Sequence, residues 1–109
     1  MKSAAIRTAV ALVIALVVLA SPLAAFADDG AALFKTKCGA CHGPDGAGQT
    51  TMGKANKLRD LGSPDVQKLA DDELAAIITS GKNKMPPYGK SLKPEQVKDL
   101  VAFVRTLKK

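Results

Sequence analysis

The stretch Cys38-Gly39-Ala40-Cys41-His42 decides how this chain is organised. Its two thiols lie three positions apart, close to one helical turn, so each can form a thioether bond to one of the two vinyl groups of a haem. The imidazole that follows the second cysteine then lies beneath the porphyrin, where a ring nitrogen can bind the iron. The pattern C-x-x-C-H therefore predicts one covalently attached c-type haem, with Cys38, Cys41 and His42 as cofactor-binding residues.

The N-terminal segment has the layout of a secretory signal peptide. Basic residues precede the unbroken apolar run from Ala9 to Ala20, and Ala25-Phe26-Ala27 matches a small-residue cleavage site. An uncleaved membrane anchor is the alternative, but this run of 12 residues is shorter than the roughly 20 that span a bilayer. We therefore expect a signal peptide over residues 1–27, a domain over residues 28–109, and a periplasmic location, with a lumenal or anchored form as the alternative.

Two cysteines in an exported chain also admit a disulfide or a thiol–disulfide redox site. A thioredoxin-type site requires β-α-β units, and no segment after residue 27 alternates apolar and polar residues as a strand does. A structural zinc site requires four ligands, and two cysteines with one histidine provide three. Haem attachment is the favoured interpretation over these two alternatives.

The charge and size of the chain restrict its partners and its core. The chain has a net charge of +6, of which Lys2 and Arg7 contribute two, so residues 28–109 carry +4. This mild charge, without interleaved aromatic and basic residues, does not indicate a nucleic-acid binder. A domain this small buries too little apolar surface to be stable without an additional stabilising group, and a covalently held haem would be such a group.

The pattern after residue 27 predicts helices and loops only, an all-α domain. A first helix is expected from about Asp28, because acidic residues favour a helix N-terminus. It carries Gly30, Phe34 and Cys38 at steps of four, on one helical face. Loop-forming residues follow the histidine, and residues 49–62 are polar and weakly patterned, which predicts a loop around the haem edge.

Three further helices are marked by their ends. A short helix is expected to begin at Ser63-Pro64, where serine is the N-cap and proline is the first helical residue. The next helix is expected to begin at Asp71 and to end at Gly81. The last helix runs from near Pro94 to about Leu107, with an apolar stripe formed by Val97, Leu100, Val101, Val104 and Leu107.

Met85 lies in a loop that its own sequence stiffens. Two prolines follow it, and they restrict its backbone and fix their own φ angles. Such a loop can present a thioether sulfur with little conformational entropy left to lose, although most methionines simply fill gaps in a core. His42 is the only histidine, so a second axial ligand must be another residue type. Met85 is the favoured sixth ligand, and Met52, lysine or an open site are the alternatives.

With these elements in order, residues 28–109 resemble a small soluble class I cytochrome c. The resemblance rests on four features: Gly30-x-x-x-Phe34, Cys38-x-x-Cys41-His42, Met85-Pro86-x-Tyr88 and Leu100-x-x-Phe103. It implies four or so short helices and connecting loops wrapped around one haem, with the first and last helices crossing at near right angles. It also implies haem links at Cys38 and Cys41, with His42 as the proximal and Met85 as the distal metal ligand.

Two positions depart from the family pattern. Lys93 stands where many members have Thr or Ser before the last helix, so a side-chain N-cap of about 1 kcal/mol is expected to be absent. Phe103 stands where many members have Tyr, which removes a hydroxyl from the contact between the first and last helices.

Ligation by histidine and methionine restricts what the iron can do. A thioether raises the reduction potential, and two filled axial positions leave no place for O₂ or peroxide. We therefore expect a one-electron carrier rather than an enzyme, a monomer that docks transiently with redox protein partners. The alternatives are a haem peroxidase or gas-binding sensor with a labile sixth ligand, and an electron-relay subunit of a larger complex.

Lysines near the haem edge are candidates for steering the carrier towards acidic partners, and the alternative for each is a solvating lysine with no partner role. The family layout suggests Lys35, Lys37, Lys54, Lys82, Lys84 and Lys90.

Overall fold

Six helices and their connecting loops make up residues 22–109, the part of the chain that the computed structural model describes, with side chains from Asp29 onward. The helices are α1 (Pro22–Lys37), α2 (Gly39–His42), α3 (Thr51–Ala55), α4 (Pro64–Gln67), α5 (Asp71–Ser80) and α6 (Pro94–Thr106). These residues contain no strand, only an isolated bridge between Lys82 and Met85, so the all-α prediction is confirmed. Within the same range, no helix has both the length and the hydropathy that a membrane crossing requires.

The predicted signal peptide, residues 1–27, lies mostly outside the described residues. Its last six residues belong to α1, which begins at Pro22 and not at about Asp28 as the acidic residues suggested. The Leu and Ala residues of this stretch are strong helix formers. The helix therefore extends through residues 22–27 in the full chain.

The remaining helix boundaries follow the sequence signals closely. Pro64 begins α4 after Ser63, and Gly81 ends α5 with a φ of +76°. At α6 the Lys93 side chain makes no cap, as predicted, but Gln96 Oε1 accepts a hydrogen bond from the Lys93 amide at 2.8 Å. One half of a capping box thus takes the place of the missing N-cap.

One helix was not expected. The loop predicted over residues 49–62 contains α3, whose N-cap Thr50 accepts a hydrogen bond from Gly53 N–H at 2.9 Å. A single side-chain cap is enough to set one helical turn where the apolar pattern gives no periodicity.

The core consists of two small clusters of buried side chains. The first contains Phe34, Leu92, Val97 and Leu100. The second contains Val66, Leu74, Val101 and Val104. The predicted apolar stripe of α6 supplies half of these residues, and it joins the two clusters because successive turns of one helix face both.

Helices α1 and α6 pack with their backbones close together at Gly30. A Cβ atom on Gly30 would lie 2.8 Å from the Asp99 carbonyl carbon and 3.0 Å from Phe103 Cβ. One turn further along, the rings of Phe34 and Phe103 lie with centroids 4.8 Å apart at 44°, and Phe34 and Leu100 are both buried. The predicted contact between the first and last helices is therefore present, and it depends on the missing side chain of Gly30.

Polar contacts tie the second half of α6 to the connection between α4 and α5. The Arg105 guanidinium donates hydrogen bonds to Gln67 O at 2.9 Å, to Leu69 O, and to Asp71 Oδ1 at 2.8 Å. Gln67 Nε2 in turn donates to Val104 O at 2.9 Å. These bonds hold the residues of the second cluster against α6.

Lys109, the last residue, is bonded to the loop between α3 and α4. Lys109 Nζ donates to Asp60 Oδ2, and the Gly62 amide donates to Asp60 Oδ1 at 2.8 Å. The hydrogen bond from Lys109 and then that from Gly62 lower the pKa of Asp60, and Asp60 in turn raises the pKa of Lys109.

Substitution of Gly30 by alanine should destabilise the protein by about 1–3 kcal/mol, because the added methyl group forces two backbones apart. Urea unfolding followed by circular dichroism measures this loss. Gly39→Ala is the matched control, since the nearest atom to its added methyl group is Phe34 O at 3.7 Å. Equal unfolding midpoints for the two variants would contradict the proposed role of Gly30.

Asp60→Asn should make stability less dependent on acid pH. The pKa of Asp60 is lower in the folded protein, so its contribution is fully present above the ordinary Asp pKa, about 3.9, and is lost as the pH falls through the lower folded value. The difference in unfolding free energy between parent and variant should be constant from about pH 5 to 7 and shrink below about pH 4. Lys109→Gln removes the main cause and should show the same trend. Parallel curves for parent and Asp60→Asn in acid would refute it.

Candidate functional site

The Cys38–His42 stretch directly follows α1, with Cys38 as the N-cap of the short helix α2. The Cys38 amide still donates to Phe34 O at 2.8 Å, and the His42 amide donates to Cys38 O at 3.0 Å. Both cysteines are free thiols and half buried, as is His42. One helical turn thus separates the two thiols, as the motif requires.

Burial lowers the pKa of His42 and raises the pKa of Cys38. It lowers the pKa of His42, so the imidazole is neutral at pH 7 and can act as a metal ligand. Burial, with a smaller effect of Cys41, raises the pKa of the Cys38 thiol. A half-buried thiol of raised pKa is a poor nucleophile at neutral pH, which disfavours a thiol–disulfide redox site.

The loop after His42 folds back onto α2. Gly48 N–H donates to His42 O at 2.8 Å, and the Thr50 hydroxyl donates to Cys41 O at 2.6 Å. A Cβ atom on Gly53 would lie 2.7 Å from Cys41 O, so α3 fits against α2 only with glycine there. Sequence reasoning missed Thr50 and Gly53. Thr50 has an N-cap side chain that could have been noticed, whereas the close approach at Gly53 leaves no local signal.

Met85 lies at the end of a tight turn after α5. Lys82 and Met85 exchange two backbone hydrogen bonds, of 3.1 and 2.9 Å, around Asn83, whose φ is +53°. A Cβ atom on Gly81 would lie 2.7 Å from Met85 O. A two-residue turn followed by two prolines leaves the Met85 backbone little freedom, in agreement with the stiffness inferred from sequence.

The segment after Met85 is anchored to two helices. The amides of Tyr88 and Gly89 each donate, at 3.0 Å, to the last turn of α5, at Ile78 O and Thr79 O. The Tyr88 hydroxyl lies 3.3 Å from Lys37 O, the carbonyl just before Cys38. The turn that carries Met85 is therefore connected to the start of the cysteine motif.

Cys38, His42 and Met85 line the same cavity, which has a volume of about 340 Å³. Its wall is mainly aliphatic and aromatic, formed by Phe34, Leu58, Leu61, Val66, Leu69, Leu74, Ile77, Ile78, Leu100 and Val104. Cys41 lies one turn from Cys38 and is not part of the wall. Met52, the alternative thioether, is 53% exposed and does not line the cavity.

Basic residues lie where the cavity opens to solvent. Among the described residues, the cavity lining contains no acidic side chain and four cationic ones, all exposed: Lys57, Arg59, Lys82 and Lys84. Lys82 and Lys84 were among the lysines expected at the haem edge, whereas Lys35, Lys37, Lys54 and Lys90 do not line the cavity. Lys57 and Arg59 were not foreseen.

These residues fit a haem. A neutral imidazole and a thioether are iron ligands of the c-type class, and the two thiols can form its covalent links. His42 Nδ1 is buried and has no hydrogen-bond partner among the described residues. The aliphatic wall suits the porphyrin and the cationic mouth suits its two carboxylates. The cavity volume also lies in the usual range for cofactor pockets.

Comparison with known proteins gives the same result. A family model described as "Cytochrome C oxidase, cbb3-type, subunit III" matches residues 25–104. Cytochrome c6 of Nostoc sp. (strain PCC 7120 / SAG 25.82 / UTEX 2576) is 38% identical over 75% of this chain and 71% of its own length. Cytochrome c6 of Thermosynechococcus vestitus (strain NIES-2133 / IAM M-273 / BP-1) is 36% identical over 86% of this chain and 83% of its own length.

Part of a longer protein also matches this chain. The "Cbb3-type cytochrome c oxidase subunit CcoP" of Rubrivivax gelatinosus is 38% identical over 64% of this chain, but this match covers only 22% of that protein. Among solved structures, the KustC0563 c-type cytochrome superposes with a TM-score of 0.69 at 35% identity, covering 73% of this chain and 98% of its own.

The motif, the shared cavity and these similarities agree. The chain belongs to the class I cytochrome c family and is an electron-transfer protein, not an enzyme, with one covalently bound haem c.

Proposed function

We propose that this protein is a periplasmic one-electron carrier whose haem is linked through Cys38 and Cys41 and whose iron is bound by His42 and Met85. The observation that carries this proposal is that His42 and Met85 line one cavity, while Met52 is turned largely to solvent. The same cavity includes Cys38, so one group can reach a cysteine and both axial ligands.

When bound, the haem supplies a one-electron couple, and the side chains around it determine its reduction potential. His42 offers a neutral imidazole because burial lowers its pKa. The Met85 thioether is a weak donor that favours the reduced state and so raises the potential. If His42 and Met85 both held the iron, they would leave no open position for O₂ or peroxide, which disfavours the peroxidase and gas-sensor alternatives.

Rapid electron transfer also requires ligands that stay in place when the charge changes. His42 is held in a helix, and Met85 is held by a two-residue turn, two prolines and the backbone bonds of Tyr88 and Gly89. A rigid donor set of this kind needs little rearrangement between oxidation states, which favours electron shuttling over catalysis at the iron.

The mouth of the cavity offers a docking surface for redox partners. Lys57, Arg59, Lys82 and Lys84 line it, and none of them takes part in an ion pair among the described residues. A cationic mouth favours encounter with acidic proteins through a small, transient interface. We propose that the carrier works as a monomer.

We also propose that residues 1–27 are removed on export. The apolar run from Ala9 to Ala20 and the Ala25-Phe26-Ala27 site support cleavage before Asp28. Helix α1 would then begin at Asp28, two residues before its close contact with α6 at Gly30.

A second candidate function is electron relay within a larger cytochrome c oxidase complex. It is favoured by the match to a subunit family of cbb3-type cytochrome c oxidase and by the domain shared with CcoP of Rubrivivax gelatinosus. A relay subunit would elute from native extracts in a large, salt-stable complex, whereas a free carrier would elute at its own size.

Met85→Ala should convert a six-coordinate iron into one with a vacant site. We expect exported parent protein to be low-spin, with the weak ferric band of methionine–sulfur ligation. Met85→Ala should lose this band and bind cyanide or CO readily, and Met52→Ala should match the parent. Absorption spectra of the oxidised and reduced forms measure this. A high-spin parent would favour the peroxidase or sensor alternative, and loss of the band in Met52→Ala would make Met52 the ligand.

Removal of charge at the mouth should slow reaction with anions. Hexacyanoferrate(II), an anionic reductant, should reduce the ferric protein more slowly as ionic strength rises, and hexaammineruthenium(II), a cation, more rapidly. The double variant Lys82→Gln/Lys84→Gln should lower the first rate about two- to fivefold. Lys98→Gln, on α6 and outside the cavity lining, is the control. Rates independent of salt would rule out electrostatic steering.

A further inference from the structure

Both peptide groups that flank His42 are held by the loop that follows it. The carbonyl before it, Cys41 O, accepts a hydrogen bond from Thr50 Oγ1 at 2.6 Å, and His42 O accepts one from Gly48 N–H at 2.8 Å. The His42 amide itself donates to Cys38 O at 3.0 Å. Carbonyls at the end of a helix have no partner within that helix, so the loop satisfies groups that α2 leaves open.

Thr50 acts on two helices at once. Its hydroxyl donates to Cys41 O, at the end of α2, and accepts from Gly53 N–H at 2.9 Å, at the start of α3. Both bonds are partly buried, and a Cβ atom on Gly53 would lie only 2.7 Å from Cys41 O. The start of α3 is thus pressed directly against the carbonyl that precedes His42.

The orientation of the His42 ring depends on this backbone. A metal-binding histidine is usually fixed by a hydrogen bond from its second ring nitrogen. His42 Nδ1 is buried without such a partner among the described residues. The peptide groups on either side of His42 are therefore its main constraint, and in the described part of the chain Thr50 Oγ1 is the only side-chain atom among the donors that hold them.

We propose that Thr50 is a positioning residue for His42, fixing the direction of the imidazole by donating a hydrogen bond to Cys41 O. This inference rests on the proposed ligation by His42. It assigns to the loop after the cysteine motif a role in keeping the ligand in one geometry in both oxidation states.

Three variants separate the two hydrogen bonds of Thr50. Thr50→Ser keeps both, and Thr50→Val loses both. Thr50→Asp retains a good N-cap for α3, because a carboxylate accepts from Gly53 N–H, but it cannot donate to Cys41 O. Thr51→Asp, at the neighbouring exposed position, adds the same charge without touching Cys41 and serves as the control.

The measurements are made on exported protein with its haem attached. Electron paramagnetic resonance of the ferric form reports the spread of axial-ligand orientations, and nuclear magnetic resonance line broadening gives the electron self-exchange rate. We expect Thr50→Asp and Thr50→Val to broaden the resonance lines and to slow self-exchange about tenfold. Thr50→Ser and Thr51→Asp should match the parent.

The inference is overturned if Thr50→Asp matches the parent, because the N-cap alone would then explain any effect of Thr50→Val. It is also overturned if Thr51→Asp reproduces the change, since charge would then be the cause. Thr50→Asp remains informative should Thr50→Val fail to fold, as it keeps the cap of α3. Failure of the proposed function is distinguishable, because the parent protein itself would then lack the low-spin signal of histidine–methionine ligation.

Discussion

Most of the buried side chains in the two core clusters also line the cavity. Phe34 and Leu100 of the first cluster line it together with Val66, Leu74 and Val104 of the second. Each cluster has only four buried side chains, too few to offset the conformational entropy lost on folding. A haem held in this cavity would meet side chains of both clusters, so the group that carries the electron would also complete the core.

The frame around the cavity is built from a few close backbone contacts. Gly30 lets α1 and α6 approach, which places the end of α1, and with it the cysteine motif, beside the first cluster. Gly81 does the same between the end of α5 and Met85 O. At each of these positions a side chain would force apart two segments that deliver residues to the cavity. The positions of the proposed ligands therefore depend on residues that do not line the cavity.

Much of this arrangement was predictable because it depends on local signals. The cysteine motif, the Ser63-Pro64 helix start, the apolar stripe of α6 and the stiff Met85 turn are each visible within a few residues of sequence. Even Gly30 was interpretable, since glycine in a first turn lowers helix propensity unless another backbone approaches. Sequence left Met52 open as an alternative ligand, and only its exposure in the fold separates it from Met85.

Other features were not predictable, for physical reasons. Helix α3 depends on the single cap of Thr50, whose second bond joins residues nine apart and leaves no periodic trace. Lys57, just after the C-cap of that helix, has a φ of +54°, a conformation that favours glycine, so a lysine there gives no sign of a helix end. Residues 22–27 belong to α1 and also to the predicted signal peptide, so the sequence pattern there was interpreted as part of the signal peptide. These features depend on tertiary contacts or on overlapping sequence signals, which a local pattern does not reveal.

The central claim is that Met85, and not Met52, binds the iron from the wall of the shared cavity. Nuclear magnetic resonance of the reduced, diamagnetic protein, with carbon-13 in its methionine methyl groups, tests this most directly. The account predicts one methyl resonance shifted far upfield by the ring current of the porphyrin, absent from Met85→Leu and retained in Met52→Leu. A shifted resonance that disappears in Met52→Leu, or no shifted methyl resonance in the parent, would contradict it.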